Sequence, residues 1–189
     1  FYTAKNPEYG AVFTYNLNNV PKTSKSLRMQ RERRLNADNK DIPFPGYDKL
    51  TDEMNEKSAS IILTIKDSEG NHIRNVKKNA SNGSSRIAWN LRHQSYYPIR
   101  AGRGQVNSWF NPSGPYVTPG EYHAEIYLEN NGSVEKLDGP IAFNVKPLRK
   151  GTLEGASYSD YNSFRTKVSN LYISMSKYQD EFNMMKSKI

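Results

Sequence analysis

Arg86-Ile87-Ala88-Trp89-Asn90-Leu91 decides how this chain is read. Ile87, Trp89 and Leu91 alternate with Arg86, Ala88 and Asn90. Side chains along a strand point to opposite faces in turn, so the first three are expected to share one face. A Trp between two aliphatics in this pattern marks the buried side of a sheet. Similar alternation lies on both sides. Ile61, Leu63 and Ile65 come before it, and Tyr122, Ala124, Ile126 and Leu128 after it, followed by Ile141, Phe143 and Val145. Turn formers separate these runs: Glu69-Gly70-Asn71, Asn82-Gly83-Ser84, Pro119-Gly120, Asn130-Asn131-Gly132 and Gly139-Pro140. Short alternating strands at this spacing predict a mainly β protein, an antiparallel β-sandwich centred on Ser60 to Val145.

Composition bounds the rest. The chain has 189 residues, enough for one core and an appendage. Aromatics make up 12%, with 13 Tyr, which suits strands with half-exposed faces. With no Cys there are no disulfides and no thiolate metal sites. No apolar run is long enough to form a membrane-spanning helix, so no membrane span is expected. The chain opens on Phe1 without a signal-peptide pattern, and is expected to be a piece of a longer or processed parent. Net charge is +8. Much of it falls between Lys22 and Lys40, where seven cations (Lys22, Lys25, Arg28, Arg31, Arg33, Arg34, Lys40) stand against Glu32 and Asp38, a balance of +5. Aromatics that would stack on bases are missing from this stretch, so it reads as a solvated helix face and no nucleic acid is expected as a partner.

Ala11 to Leu17 predicts a strand with Phe13, Tyr15 and Leu17 on one face, ended before Pro21. Thr23 or Ser24 caps a surface helix running to about Ala37. Asp41 to Tyr47 holds two prolines and reads as an extended connector pinned by Ile42, Phe44 and Tyr47. Ser60–Asp67 and Asn71–Lys77 form a hairpin, Ser84–Arg92 is the Trp89 strand, and Glu121–Glu129 with Ser133–Leu137 forms a second hairpin. Gly139-Pro140 then leads into a separate last strand from Ile141 to Lys146. Between His93 and Thr118 lies a long loop carrying Tyr96, Tyr97, Trp109, Phe110 and Tyr116. Loops of this length are functional or packed by their own side chains.

After Pro147 the pattern changes. Asp160 is expected to cap a helix reaching Ile189, with apolar residues at Tyr161, Phe164, Val168, Leu171, Met175, Tyr178, Phe182, Met185 and Ile189. The spacings alternate three and four without a break, which is a heptad seam. Such a seam wants a cover: a following helix in the parent, a second copy of the same helix in this piece, or, as the alternative, the chain's own sandwich.

Several stretches are similar to known families. Phe1-Tyr2-Thr3-Ala4, Asn6-Pro7, Tyr9 to Tyr15, Asp41-Ile42-Pro43-Phe44-Pro45 and Ser113 to Tyr122 resemble the region that follows the β-propeller in secreted bacterial sortilin-type, BNR-repeat proteins, which carry a glycosyl hydrolase label. Asp67 to Arg74, Ile87-Ala88-Trp89-Asn90 and Pro119-Gly120-Glu121-Tyr122 are similar to the Ig-like domain of flagellar hook-capping (FlgD-like) proteins. The resemblance implies an Ig-like or fibronectin-like sandwich over 1–148, with 1–58 as strand, basic helix and connector and 59–148 as the core. Residues 149–189 would be linker and C-terminal helix. It further implies a secreted, periplasmic or cell-surface bacterial protein and a non-catalytic accessory domain that packs against the propeller of its parent or mediates assembly. The propeller surface would then be a further cover for the heptad seam in the parent.

Candidate sites are few. His72, His93 and His123 are scattered and do not converge as metal ligands would, so no metal or cofactor is expected. Asp67-Ser68-Glu69-Gly70-Asn71 resembles a calcium loop only in part, because the later bidentate Glu is missing, and reads as hairpin-turn chemistry. Glu53 and Glu56 sit in a polar stretch and make a poor acid/base pair. The chain itself is therefore not expected to be an enzyme. The aromatic loop is the richest patch. Tyr96, Tyr97, Trp109, Phe110 and Tyr116 could stack on sugar rings, which gives a carbohydrate-binding module as the alternative, or could serve as interdomain contacts.

Overall fold

The computed structural model describes residues 3–4, 6, 9–95, 114–149 and 155–187. In chain order these form β1 (Ala11–Leu17), α1 (Ser24–Ala37), α2 (Tyr47–Asn55), β2 (Ser60–Asp67), β3 (His72–Asn79), β4 (Gly83–Trp89), β5 (Gly120–Asn130), β6 (Ser133–Val145) and α3 (Tyr158–Lys186). The strands make two antiparallel sheets, one of order β1-β4 and one of order β3-β2-β5-β6. The chain divides into two compact units. The first comprises Phe1–Ile65, Asn75–Asn90 and His123–Ile141; the second comprises Lys66–Arg74, Leu91–Tyr122 and Ala142–Ile189.

The first unit holds the deepest core. Trp89, Ile61, Leu63 and Ile65 are fully buried, and Ile87, Ala59 and Ala124 are nearly so. β2 and β5 are the inner strands of their sheet, and β2 alternates between buried and half-buried positions from Ile61 to Lys66, as its pleat dictates. β1 pairs with β4 from Ala11↔Trp89 to Leu17↔Gly83. Gly10 makes this pairing possible: it has φ +118°, and a Cβ there would overlap the Trp89 carbonyl oxygen. Ion pairs tie parts of this unit together. Glu125 is buried, and its carboxylate accepts from Lys136 Nζ at 2.8 Å and from the Tyr127 hydroxyl at 2.9 Å. Arg28 grips Glu53 through Nε and Nη2 and Glu32 through Nη1, so α1 is tied to α2. These bonds hold the Arg28 guanidinium above its ordinary range and pull the Glu53 carboxyl below the usual one.

The second unit has a smaller core of Ile73, Val117 and Tyr122, with the Tyr122 and Phe143 rings 6.1 Å apart. Here Asp67 organises the β2–β3 turn. Its Oδ1 accepts from the Glu69 and Asn71 amides and its Oδ2 from Asn71 Nδ2, while Gly70 adopts φ +85°. The carboxylate is spent on the turn, as hairpin chemistry requires.

Four expectations need correction. Leu91 does not continue the Trp89 strand. It has φ +58°, β4 stops at Trp89, and the Leu91 carbonyl accepts from Val117 N at 2.9 Å. The last strand is not separate from the second hairpin, because β6 runs unbroken from Ser133 to Val145 through Gly139-Pro140. Pro140 lies on an edge strand, the place in a sheet where proline is found. Ile42, Phe44 and Tyr47 do not pin the connector: all three are exposed, and Phe44 and Tyr47 meet edge to face at 5.1 Å. Finally, α3 is capped by Ser157 rather than Asp160. Ser157 Oγ accepts from Asp160 N and donates to the Asp160 carboxylate, a reciprocal capping pair.

Trp89→Ala should cost about 3–5 kcal/mol of stability, the range for deleting a large core aromatic. Thermal or urea unfolding measures it, and an unchanged midpoint would remove Trp89 from the core.

Candidate interaction surface and the cleft beside it

α3 turns its small side chains inward. Its buried residues are Ser169 and Ser176, and Asn162, Arg165 and Asp180 on the same side are half-buried. Near its start the helix is fixed by polar bonds to the strand-entry segment: Asn162 Nδ2 donates to Thr118 Oγ1 at 2.9 Å, and Arg165 Nη1 donates to the Tyr116 carbonyl at 3.0 Å. The heptad seam is thereby left outside. Tyr161, Phe164, Val168, Leu171, Met175, Tyr178, Phe182 and Met185 are each between 47% and 67% exposed. At 100° per residue the seam lies about a third of a turn from the serine face. Ile189 lies outside the described residues.

Tyr116 is the one member of the aromatic loop among the described residues; Tyr96, Tyr97, Trp109 and Phe110 lie outside them. The Tyr116 ring is half exposed, with the Arg92 guanidinium over it at 3.7 Å from the centroid. One ring face is therefore occupied by a cation–π contact. The backbone around it is also bound: Arg92 Nη1 donates to the Gly114 carbonyl, and Arg92 and Tyr116 form an isolated β-bridge. Gly114 approaches the His93 and Gln94 carbonyls so closely that a Cβ would overlap them.

Beside α3 the second unit has an open cleft of about 770 Å³, lined by the Asp67–Asn71 turn, His72, His93, Thr118, Glu121 and the first turns of α3. The structure thus brings His72 and His93 to one cleft, while His123 belongs to the other unit. His93 N donates to the Pro115 carbonyl and its own carbonyl accepts from Arg74 Nη1. Burial first, and then the positive charge of Arg165, bring the His93 imidazole down to about 4, with Asp67 opposing both. Among the described residues no group of three His, Asp or Glu is placed to hold a metal ion. Glu53 and Glu56 are both committed to α1, Glu53 to Arg28 and Glu56 to the Ser24 amide at 2.6 Å. Among the described residues no helix is long and apolar enough to cross a membrane.

The cleft was not foreseen from sequence, because its walls come from four separated stretches. The one available signal was Thr118 to Tyr122, where Pro-Gly opens a strand with a buried Tyr. Comparison of the chain with protein-family models, with curated proteins and with solved structures finds no match in any of the three.

The His93 shift carries a pH dependence. Between pH 6.5 and about 4 the unfolded chain binds a proton on this imidazole that the folded chain refuses. Its contribution to stability is therefore full above pH 6.5 and is lost as pH falls toward 4. The melting temperature should drop across this window, and His93→Gln should flatten that part of the drop. Parallel pH profiles of the two proteins would show no difference if the imidazole were freely solvated.

Proposed function

We propose that this chain is a non-catalytic accessory and interaction domain of a larger secreted β-propeller protein, built on an Ig-like sandwich and located in the periplasm or at the cell surface. The observation that carries the reading is the outward stripe of eight large apolar side chains on α3. An exposed, contiguous apolar stripe marks a contact surface rather than a reaction centre. The charged groups that might do chemistry are largely committed to turns, caps and ion pairs, as with Asp67, Glu53, Glu56 and Glu125.

Three features support the Ig-like part. The sheet orders β3-β2-β5-β6 and β1-β4 are those that strands C′-C-F-G and B-E of an Ig-like sandwich would have. Tyr122, near the start of β5, donates its hydroxyl back to the Thr118 carbonyl at 2.7 Å, which is the bonding pattern of a tyrosine corner. Burial raises the Tyr122 phenol, so this donor keeps its proton. The three stretches that resemble hook-capping domains lie at the β2–β3 hairpin, at the end of β4 around buried Trp89, and at the start of β5.

The chain should show no turnover on a panel of aryl glycosides and no saturable binding on a glycan array. Hydrolysis lost on replacing a named carboxylate would overturn the accessory reading. Glycan binding lost in Trp109→Ala would put the carbohydrate-binding module in its place.

A further inference from the structure

The geometry points to a second copy of this chain as the occupant of the α3 stripe, the two helices pairing as a coiled coil. This rests on the accessory reading and names the partner of its surface. Four observations carry it.

The first is pattern. The exposed positions alternate three and four residues apart from Tyr161 to Met185, about 36 Å of helix. They are the a and d positions of consecutive heptads, and none of them is charged. A 3.5-residue repeat keeps its stripe facing one partner only if that partner is a helix of the same repeat. The helix itself is the element at hand that has it.

The second is area. A buried aromatic covers roughly 150–250 Å². With each position a half to two-thirds exposed, roughly 100 Å² is open at each, so the eight offer roughly 800 Å² per helix. A stable interface needs about 800 Å² from each partner. The largest apolar patch on an ordinary monomer is about 300–600 Å². The stripe therefore exceeds what a lone domain exposes and matches what a dimer needs.

The third is access. α3 is bonded to the strand-entry segment through Asn162 and Arg165 and buries Ser169 and Ser176, while the seam residues on the other side of the helix are exposed along its length. The fourth is charge at the flanks. In a parallel register Glu181 of one helix falls opposite Lys186 of the other, at positions that set pairing in coiled coils.

Sedimentation velocity on the full chain over a concentration series tests the inference. A reversible dimer is expected. Leu171→Glu and Met175→Glu, each placing a charge in the seam, should raise its dissociation constant about 100-fold or more. Asn170→Glu, at an exposed position of the same helix away from the seam, should leave it unchanged. Since both seam residues are exposed in the single chain, folding should survive, and circular dichroism checks it. A monomer at every concentration, or a dimer indifferent to both seam variants, would overturn self-pairing. Either result would leave the accessory reading standing, because that reading fails on turnover and glycan binding instead.

Discussion

The pairing of β1 with β4 depends on one missing atom. Gly10 brings its backbone against the Trp89 carbonyl, and no residue with a Cβ fits there. With that approach allowed, β1 can run antiparallel to β4 for seven residues. Trp89 is then held at the end of a strand whose backbone is hydrogen-bonded and whose side chain is fully buried. Two residues later Leu91 takes a left-handed conformation and the strand is over. A large aromatic fixed on one side of such a kink gives the kink a defined place.

A different constraint governs α3. Helices usually bury their largest apolar residues and expose the rest. Here the buried positions are serines, and the outward ones are aromatics, leucine, valine and methionines. Bonds from Asn162 and Arg165 to Thr118 and Tyr116 set the rotation of the helix. Once rotation is fixed by polar groups, the apolar stripe has no freedom to turn inward. The inversion is a consequence of which face carries the fixed hydrogen bonds.

Much of this could be read from sequence wherever a period was strong. The alternation in Ala11–Leu17 and Ser60–Asp67 marked β1 and β2, and Thr23 marked the start of α1. What escaped depended on neighbours distant in the chain. Pro140 looked like a strand break because its edge position follows from the order of strands, which no local pattern encodes. Asp160 looked like a cap because Ser157 and Asp160 are both good capping residues, and only the reciprocal bonds decide between them. The seam of α3 was visible as spacing. Its exposure was not, because that depends on Thr118 and Tyr116, more than forty residues away.

Exposed apolar residues are ordinary on protein surfaces, and α2 shows the ordinary kind: Tyr47 and Met54 are exposed there. They are seven residues apart with Leu50 half-buried between them, and they form no extended stripe. On α3 the same residue classes recur through more than three heptads. Burial contributes about 1.5–3 kcal/mol for a large apolar side chain relative to exposure, so one such residue left in water is a minor loss. Eight in register differ in kind. Their losses recur at fixed intervals along one line, so a single docking event would cover them all and meet its ordering cost once. Periodicity, rather than exposure alone, is what the proposed contact surface on α3 rests on, and α2 lacks it.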